Sequence, residues 1–147
     1  MIRTFLYGIG GFGVVAIFFF GTLYVLNSRD TESRIATEMK SRDATRVAHA
    51  KLLKDALERY RAARGGFPVG FGDNPVIDLK TVLVGGGYLK EIPGDPLPPR
   101  TYRYTASDWT AGKRYGLLIP LEETGNCITG VGFEGNGWWA PAPTCAF

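Results

Sequence analysis

The side chains able to do chemistry in this 147-residue chain are few, and their spacing is informative. His49 is the sole histidine. It falls one position from an apolar stripe on a charged segment, where a solvated or flank-packed ring is expected. The alternatives are a ligand or a proton carrier. Asp73, Asp78, Asp95, Asp108 and Glu122-Glu123 could contribute to a calcium site, yet none has the loop spacing that calcium motifs use. Asp78 and Asp95 read as a helix cap and a turn residue. Neither paired acids nor a nucleophile beside a base can be assembled from the remainder. The expectation is a non-enzymatic chain with no catalytic residue, no metal, no cofactor and no small-molecule substrate.

Cys127 and Cys145 close a Gly/Pro-rich tail with little capacity to bury a core. A disulfide between them is preferred over a zinc site, which would have only these two and one distant histidine to draw on. Closing a loop of that size contributes on the order of 3 kcal/mol, and such bonds persist only in oxidising compartments. The folded part is therefore expected outside the cytoplasm, in a bacterial periplasm.

Those side chains have to be positioned by something, and residues 4–26 are the first candidate. TFLYGIGGFGVVAIFFFGTLYVL carries no charge. As a helix it rises roughly 34 Å, enough to cross a hydrocarbon core of about 30 Å. A cleaved secretory signal would have a shorter apolar run and a small-x-small site; Val25-Leu26-Asn27-Ser28 is a poor one. The run is read as a retained anchor spanning 1–28 of a single-pass inner-membrane protein. Lys/Arg counting, with Arg3 on one side against Arg29, Arg34, Lys40 and Arg42 on the other, points the remainder inward. The cysteines point it outward, and a long trailing domain weakens the charge rule. Within the anchor, Gly8 and Gly11 share one helical face while Phe18 and Phe19 are bulky, an arrangement suited to a partner helix.

From Thr22 to Arg64 there is no glycine or proline. Ile35, Met39, Val47, Ala50, Leu53, Leu57 and Tyr60 recur at three- and four-residue steps with one longer gap. The other face offers Asp30/Arg34, Glu38/Arg42 and Asp55/Arg59 at i,i+4 spacing. Gly65-Gly66 and Pro68 then stop the helix. One helix from about residue 4 to 64 is expected, its stem (29–64) carrying ten Lys/Arg against six Asp/Glu. Those acids argue against nucleic acid and for a solvated face near anionic headgroups.

Residues 65–147 follow as a loop, GGFPVGFGDNP, and a small helix capped by Asp78 and ended by Gly85-Gly86-Gly87. A meander of about three antiparallel strands comes next, at 101–105, 114–121 and 128–133, with a hairpin loop at 106–113. The fold class is α+β, and one face of the sheet must cover the stripe. Trp138-Trp139 reads either as a contact surface or as the lid of the core.

In that order, the segments resemble type IV pilins and type II secretion pseudopilins. SRDATRVAHAKLLKDALERYRAARGGFP is similar to the second half of the pilin helix. LKTVLVGGGYLKEIPGDP resembles the passage from helix to sheet, and Tyr102-Arg103-Tyr104 with Tyr115-Gly116-Leu117 the first two strands. The cysteine-closed tail looks like a pilin C-terminal loop. The resemblance implies a pilin-like periplasmic domain (29–147) that packs on other membrane-protein subunits of a secretion or pilus-type assembly.

The anchor departs from that pattern. Gly11-Phe12 imitates the processing site, but the fifth residue from Phe12 is Ala16 where pilins resemble one another in a glutamate. Cutting after Gly11 would leave about 15 apolar residues, short for a span. The alternative is an accessory subunit of another inner-membrane complex, such as an energy-transducing one. It would clamp partners at the periplasmic face.

Overall fold

The computed structural model describes residues 3–106, 112–132 and 142–147, with side chains from Arg29 onward apart from Phe71. It forms two compact units, Met1–Glu38 and Met39–Phe147. One helix, α1 (Arg3–Arg64), runs through the first and opens the second, and from Thr22 to its end no glycine or proline interrupts it. In the first unit the side chains of residues 29–38 are all exposed, including Ile35 at 51%. Ile35 was expected on the packed stripe and does not join it. Among the described residues, no helix is long and apolar enough to cross a membrane. The side chains of the apolar run 4–26, on which the anchor expectation falls, lie outside that set, as do those of Gly8, Gly11, Phe18 and Phe19.

The second unit packs the last part of α1 on a four-stranded antiparallel sheet of order β1-β2-β3-β4. The strands are β1 (Gly70–Pro75), β2 (Arg103–Ala106), β3 (Tyr115–Pro120) and β4 (Asn126–Val131). Ala50, Leu53, Ala56 and Leu57 point one face of α1 into the core, each with no exposed surface. Tyr104, Tyr115, Leu117 and Ile119 meet them from the inner face of the sheet, where period-two alternation places them. α1 ends where Gly65 takes φ +82° and returns its N–H to the Arg61 carbonyl at 2.8 Å.

Two local expectations are corrected. GGFPVGFGDNP contributes a fourth strand, β1, rather than a loop alone. Its composition hides it, because Gly, Asp, Asn and Pro dominate where β-branched residues are expected. Pairing with β2 holds it, in a register that is irregular between Gly70 and Asn74, and Arg103 of β2 clamps the Asp73 carboxylate and, at 2.9 Å, its carbonyl. Pro75 is tolerated because β1 is an edge strand. The second correction concerns Asp78. The small helix begins two residues earlier, as a 3-10 segment over Val76–Leu79 that continues as a π segment over Lys80–Val84. Pro75 occupies the cap, without a side-chain hydrogen bond, and Asp78 lies in the first turn. Burial decides this start, since Val76, Leu79 and Leu83 must reach the core together. Gly85-Gly86-Gly87 ends the segment as expected. A Cβ on Gly86 would sit 2.6 Å from the Tyr88 ring, and Gly87 takes φ +76°.

Cys127 and Cys145 are disulfide-bonded. The bond ties β4 to the tail, which also runs parallel to it: Ile128 donates to the Pro143 carbonyl and Cys145 to the Ile128 carbonyl, both at 2.8 Å. The expected hairpin loop falls largely on residues 107–111, and Asp108, Trp138 and Trp139 likewise lie outside the described residues. Replacing both cysteines by serine should lower stability by about 3 kcal/mol. Urea unfolding of the oxidised protein and the variant would show this, and a midpoint unchanged between them would deny the bond a structural role.

Candidate functional site

The gap in the apolar stripe of α1 is where its polar chemistry sits. Met39 and Val47 are eight residues apart, and Asp43 and Arg46 fall between them in the same helical register. Both are buried, Arg46 with no exposed surface at all. The packed face therefore reads Asp43, Arg46, Ala50, Leu53 and Leu57, and two of its positions are charged.

A buried guanidinium is costly unless its N–H groups are answered by carboxylates. Arg46 is answered three times. Nε and Nη2 fork onto the two oxygens of Asp95, each at 2.8 Å, and the Asp95 side chain is itself fully buried. Nη1 donates to Asp43 Oδ1 at 2.7 Å and to Glu122 Oε1 at 2.6 Å. Arg42, which the sequence pairs with Glu38, forks onto Glu122 with two 2.7 Å bonds. Planar forks of this kind are what arginine supplies and lysine does not.

Each acid is also held by the backbone. Asp43 accepts from the Glu122 amide at 2.9 and 3.0 Å and from the Glu123 amide at 3.1 Å. Asp95 accepts from the Leu97 amide at 2.7 Å, so its expected turn role stands and a second role is added. Burial opposes ionisation of Asp43 and Asp95, but these hydrogen bonds and the guanidinium outweigh it, and both carboxyls sit below their ordinary value. Arg42 first, then Arg46, hold Glu122 at about 2. Arg46 is driven upward, chiefly by Asp95. Three carboxylates and two guanidiniums thus stay charged together. They join α1 to the turn between β3 and β4 and to the loop before β2.

His49 stands one turn beyond Arg46. It is partly buried, and its Nδ1 lies 2.8 Å from the Tyr102 hydroxyl. Desolvation lowers its pKa below the usual histidine value, against the pull of Asp95, so the neutral ring is favoured near neutral pH. With Leu52, Leu89, Lys90, Glu91, Ile92, Pro93 and Gly94 it lines an open groove of about 480 Å³. Leu52 is half exposed there. The groove lining is mostly apolar, with His49, Lys90 and Glu91 as its ionisable members.

The structure separates most of the acids considered for calcium. Asp73 pairs with Arg103, Asp95 with Arg46, and Glu122 with both Arg42 and Arg46. Among the described residues no group of three or more His, Cys, Asp or Glu is placed to hold a metal. Sequence reasoning missed the Arg46 cluster. The available signal was the stripe itself, which keeps its step through the gap only if Asp43 and Arg46 are counted as packed.

Removing Arg46 leaves Asp43 and Asp95 buried and unpaired, so Arg46→Met should destabilise the protein by about 3–5 kcal/mol at neutral pH. The acid limb gives the sign. Carboxylates whose folded pKa is depressed contribute stability above their ordinary values near 4, and lose it as pH falls toward the Glu122 value of about 2. In Arg46→Met that depression is weakened, so stability should fall less between about pH 5 and pH 2 than in the unchanged protein. Chemical denaturation across that range measures it; parallel pH profiles would refute the assignment.

No family model matches the chain, and no curated protein or solved structure matches it, so its own residues carry the functional reading.

Proposed function

We propose that the chain is a non-enzymatic, membrane-anchored, pseudopilin-like structural subunit of a bacterial secretion or pilus-type assembly. The observation that supports this most is where burial begins on α1. The sheet and its loops cover the helix from Asp43 onward, while the side chains of residues 29–38 on the same helix are exposed. An uncharged run of 23 residues precedes that stretch. A helix packed from Asp43 onward, in a chain whose preceding uncharged run is long enough to enter lipid, suits a stem that presents a head to neighbouring subunits. The loop carrying Asp95, strands β2, β3 and β4, and the disulfide-closed tail follow α1 in the order of the segments on which the pilin resemblance rests.

In this reading the uncharged run within residues 1–28 anchors the chain in the inner membrane, and the head lies in the periplasm, where the disulfide persists. Partners are other membrane-protein subunits and the lipid bilayer; neither nucleic acid nor a small-molecule substrate is invoked. Ala16 supports a second reading. Without an acid at that position the anchor lacks the registry device of a filament core, which suits an accessory subunit clamping another inner-membrane complex, such as an energy-transducing one.

Membrane fractionation with crosslinking tests both readings. The protein should sediment with membranes and crosslink to neighbours; a soluble, partnerless monomer would defeat them together. Intact mass then separates them. A chain beginning at Phe12 is expected of the pilus machinery, and one retaining Met1 of the accessory subunit.

A further inference from the structure

His49, Tyr102 and Gly94 form a chain of groups with too few protons to satisfy every acceptor. Tyr102 has one hydroxyl proton and two acceptors within reach: His49 Nδ1 at 2.8 Å and the Gly94 carbonyl at 3.4 Å. When neutral His49 carries its proton on Nε2, Nδ1 is an acceptor and takes the Tyr102 proton. The Gly94 carbonyl is then left with the long contact. When His49 is protonated, both ring nitrogens are donors. Nδ1–H then donates to the Tyr102 oxygen, and the hydroxyl proton must turn to Gly94.

We infer that His49 is a proton-operated switch that moves the Gly94 carbonyl, and with it one wall of the groove, through the hydroxyl of Tyr102. One proton enters from solvent at the imidazole, and none leaves the chain; only the Tyr102 O–H reorients. The loop has a fixed point against which to move, since Asp95, the next residue, is forked onto Arg46 and capped by the Leu97 amide. Gly94 and His49 line the same groove, so a shift of the carbonyl changes its shape.

The charged and titratable groups around His49 come from each neighbouring element. Arg46 lies three residues back on α1, Tyr102 just before β2, and Asp95 on the loop, with Lys90 and Glu91 in the groove lining. Desolvation, the largest influence, opposes the imidazolium, while Asp95 and a backbone hydrogen bond at Gly94 favour it, so the proton is taken up below the usual histidine range. Asp95 and Glu122 remain ionised through that range because their own values are depressed.

Nitrogen-resolved NMR of the full chain in mild detergent tests this, and a single histidine makes the ring signal unambiguous. The Asp95 amide nitrogen is bonded to the Gly94 carbonyl carbon and reports hydrogen bonding at that carbonyl. In the unchanged protein it should shift with the same midpoint as the His49 ring. In Tyr102→Phe the ring should still titrate while the Asp95 response is diminished to what the direct interaction of His49 with the Gly94 backbone supplies. In His49→Gln, which leaves the tyrosine in place should the phenylalanine variant fail to fold, Asp95 should stay flat through the same range. An Asp95 signal that ignores the His49 titration, or one that follows pH undiminished in either variant, would overturn the proposal.

Discussion

The second unit is organised by the need to neutralise one guanidinium. Arg46 sits on the packed face of α1 with no exposed surface, where an unpaired charge is not tolerated. Its bond directions are fixed by a planar fork, so the carboxylates that answer it must arrive from defined places. One comes from its own helix, one from the loop before β2, and one from the turn between β3 and β4. A hydrophobic side chain there would pack against whatever loop conformation left least void. Arg46 is satisfied only when both loops occupy one position.

Such a cluster contributes specificity more than net stability, because desolvation offsets much of the attraction. The stability of the unit rests on the apolar half of the same face. Leu53, Leu57, Leu117 and Ile119 share one buried cluster, and burying a side chain of this kind is worth about 1.5–3 kcal/mol. The two halves divide the labour along α1. Beyond Ala50 the helix is held by packing; around Arg46 it is held by charge. The charged half also positions the groove, since the Asp95 fork anchors the loop on which Gly94 and Pro93 lie.

Most of the architecture was readable from periodicity and punctuation. The stem of the long helix follows from the stretch 22–64 without glycine or proline, its end from Gly65-Gly66, and β2, β3 and β4 from short alternating or apolar segments between turns. The disulfide was readable from two cysteines in a tail too poor in apolar residues to hold itself. Two features were not readable, for different reasons. β1 has no strand-like composition, and the partner strand imposes its conformation. The Arg46 cluster depends on contacts 49 and 76 residues apart in sequence, so no local pattern announces it. An arginine inside an amphipathic stripe reads as solvated until its partners are known. Asp78 failed as a cap because burying Val76 with Leu79, three residues apart on either side of it, outweighed a single hydrogen bond.

The claim that Arg46 and Asp95 act as one unit is tested most directly by a double-mutant cycle of Arg46→Met and Asp95→Asn, read by equilibrium unfolding at neutral pH. Two groups in direct contact should couple, so the double variant should be more stable than the sum of the single losses allows, by about 1–3 kcal/mol. Additive losses would mean that the two side chains stabilise the protein independently, and would contradict the account.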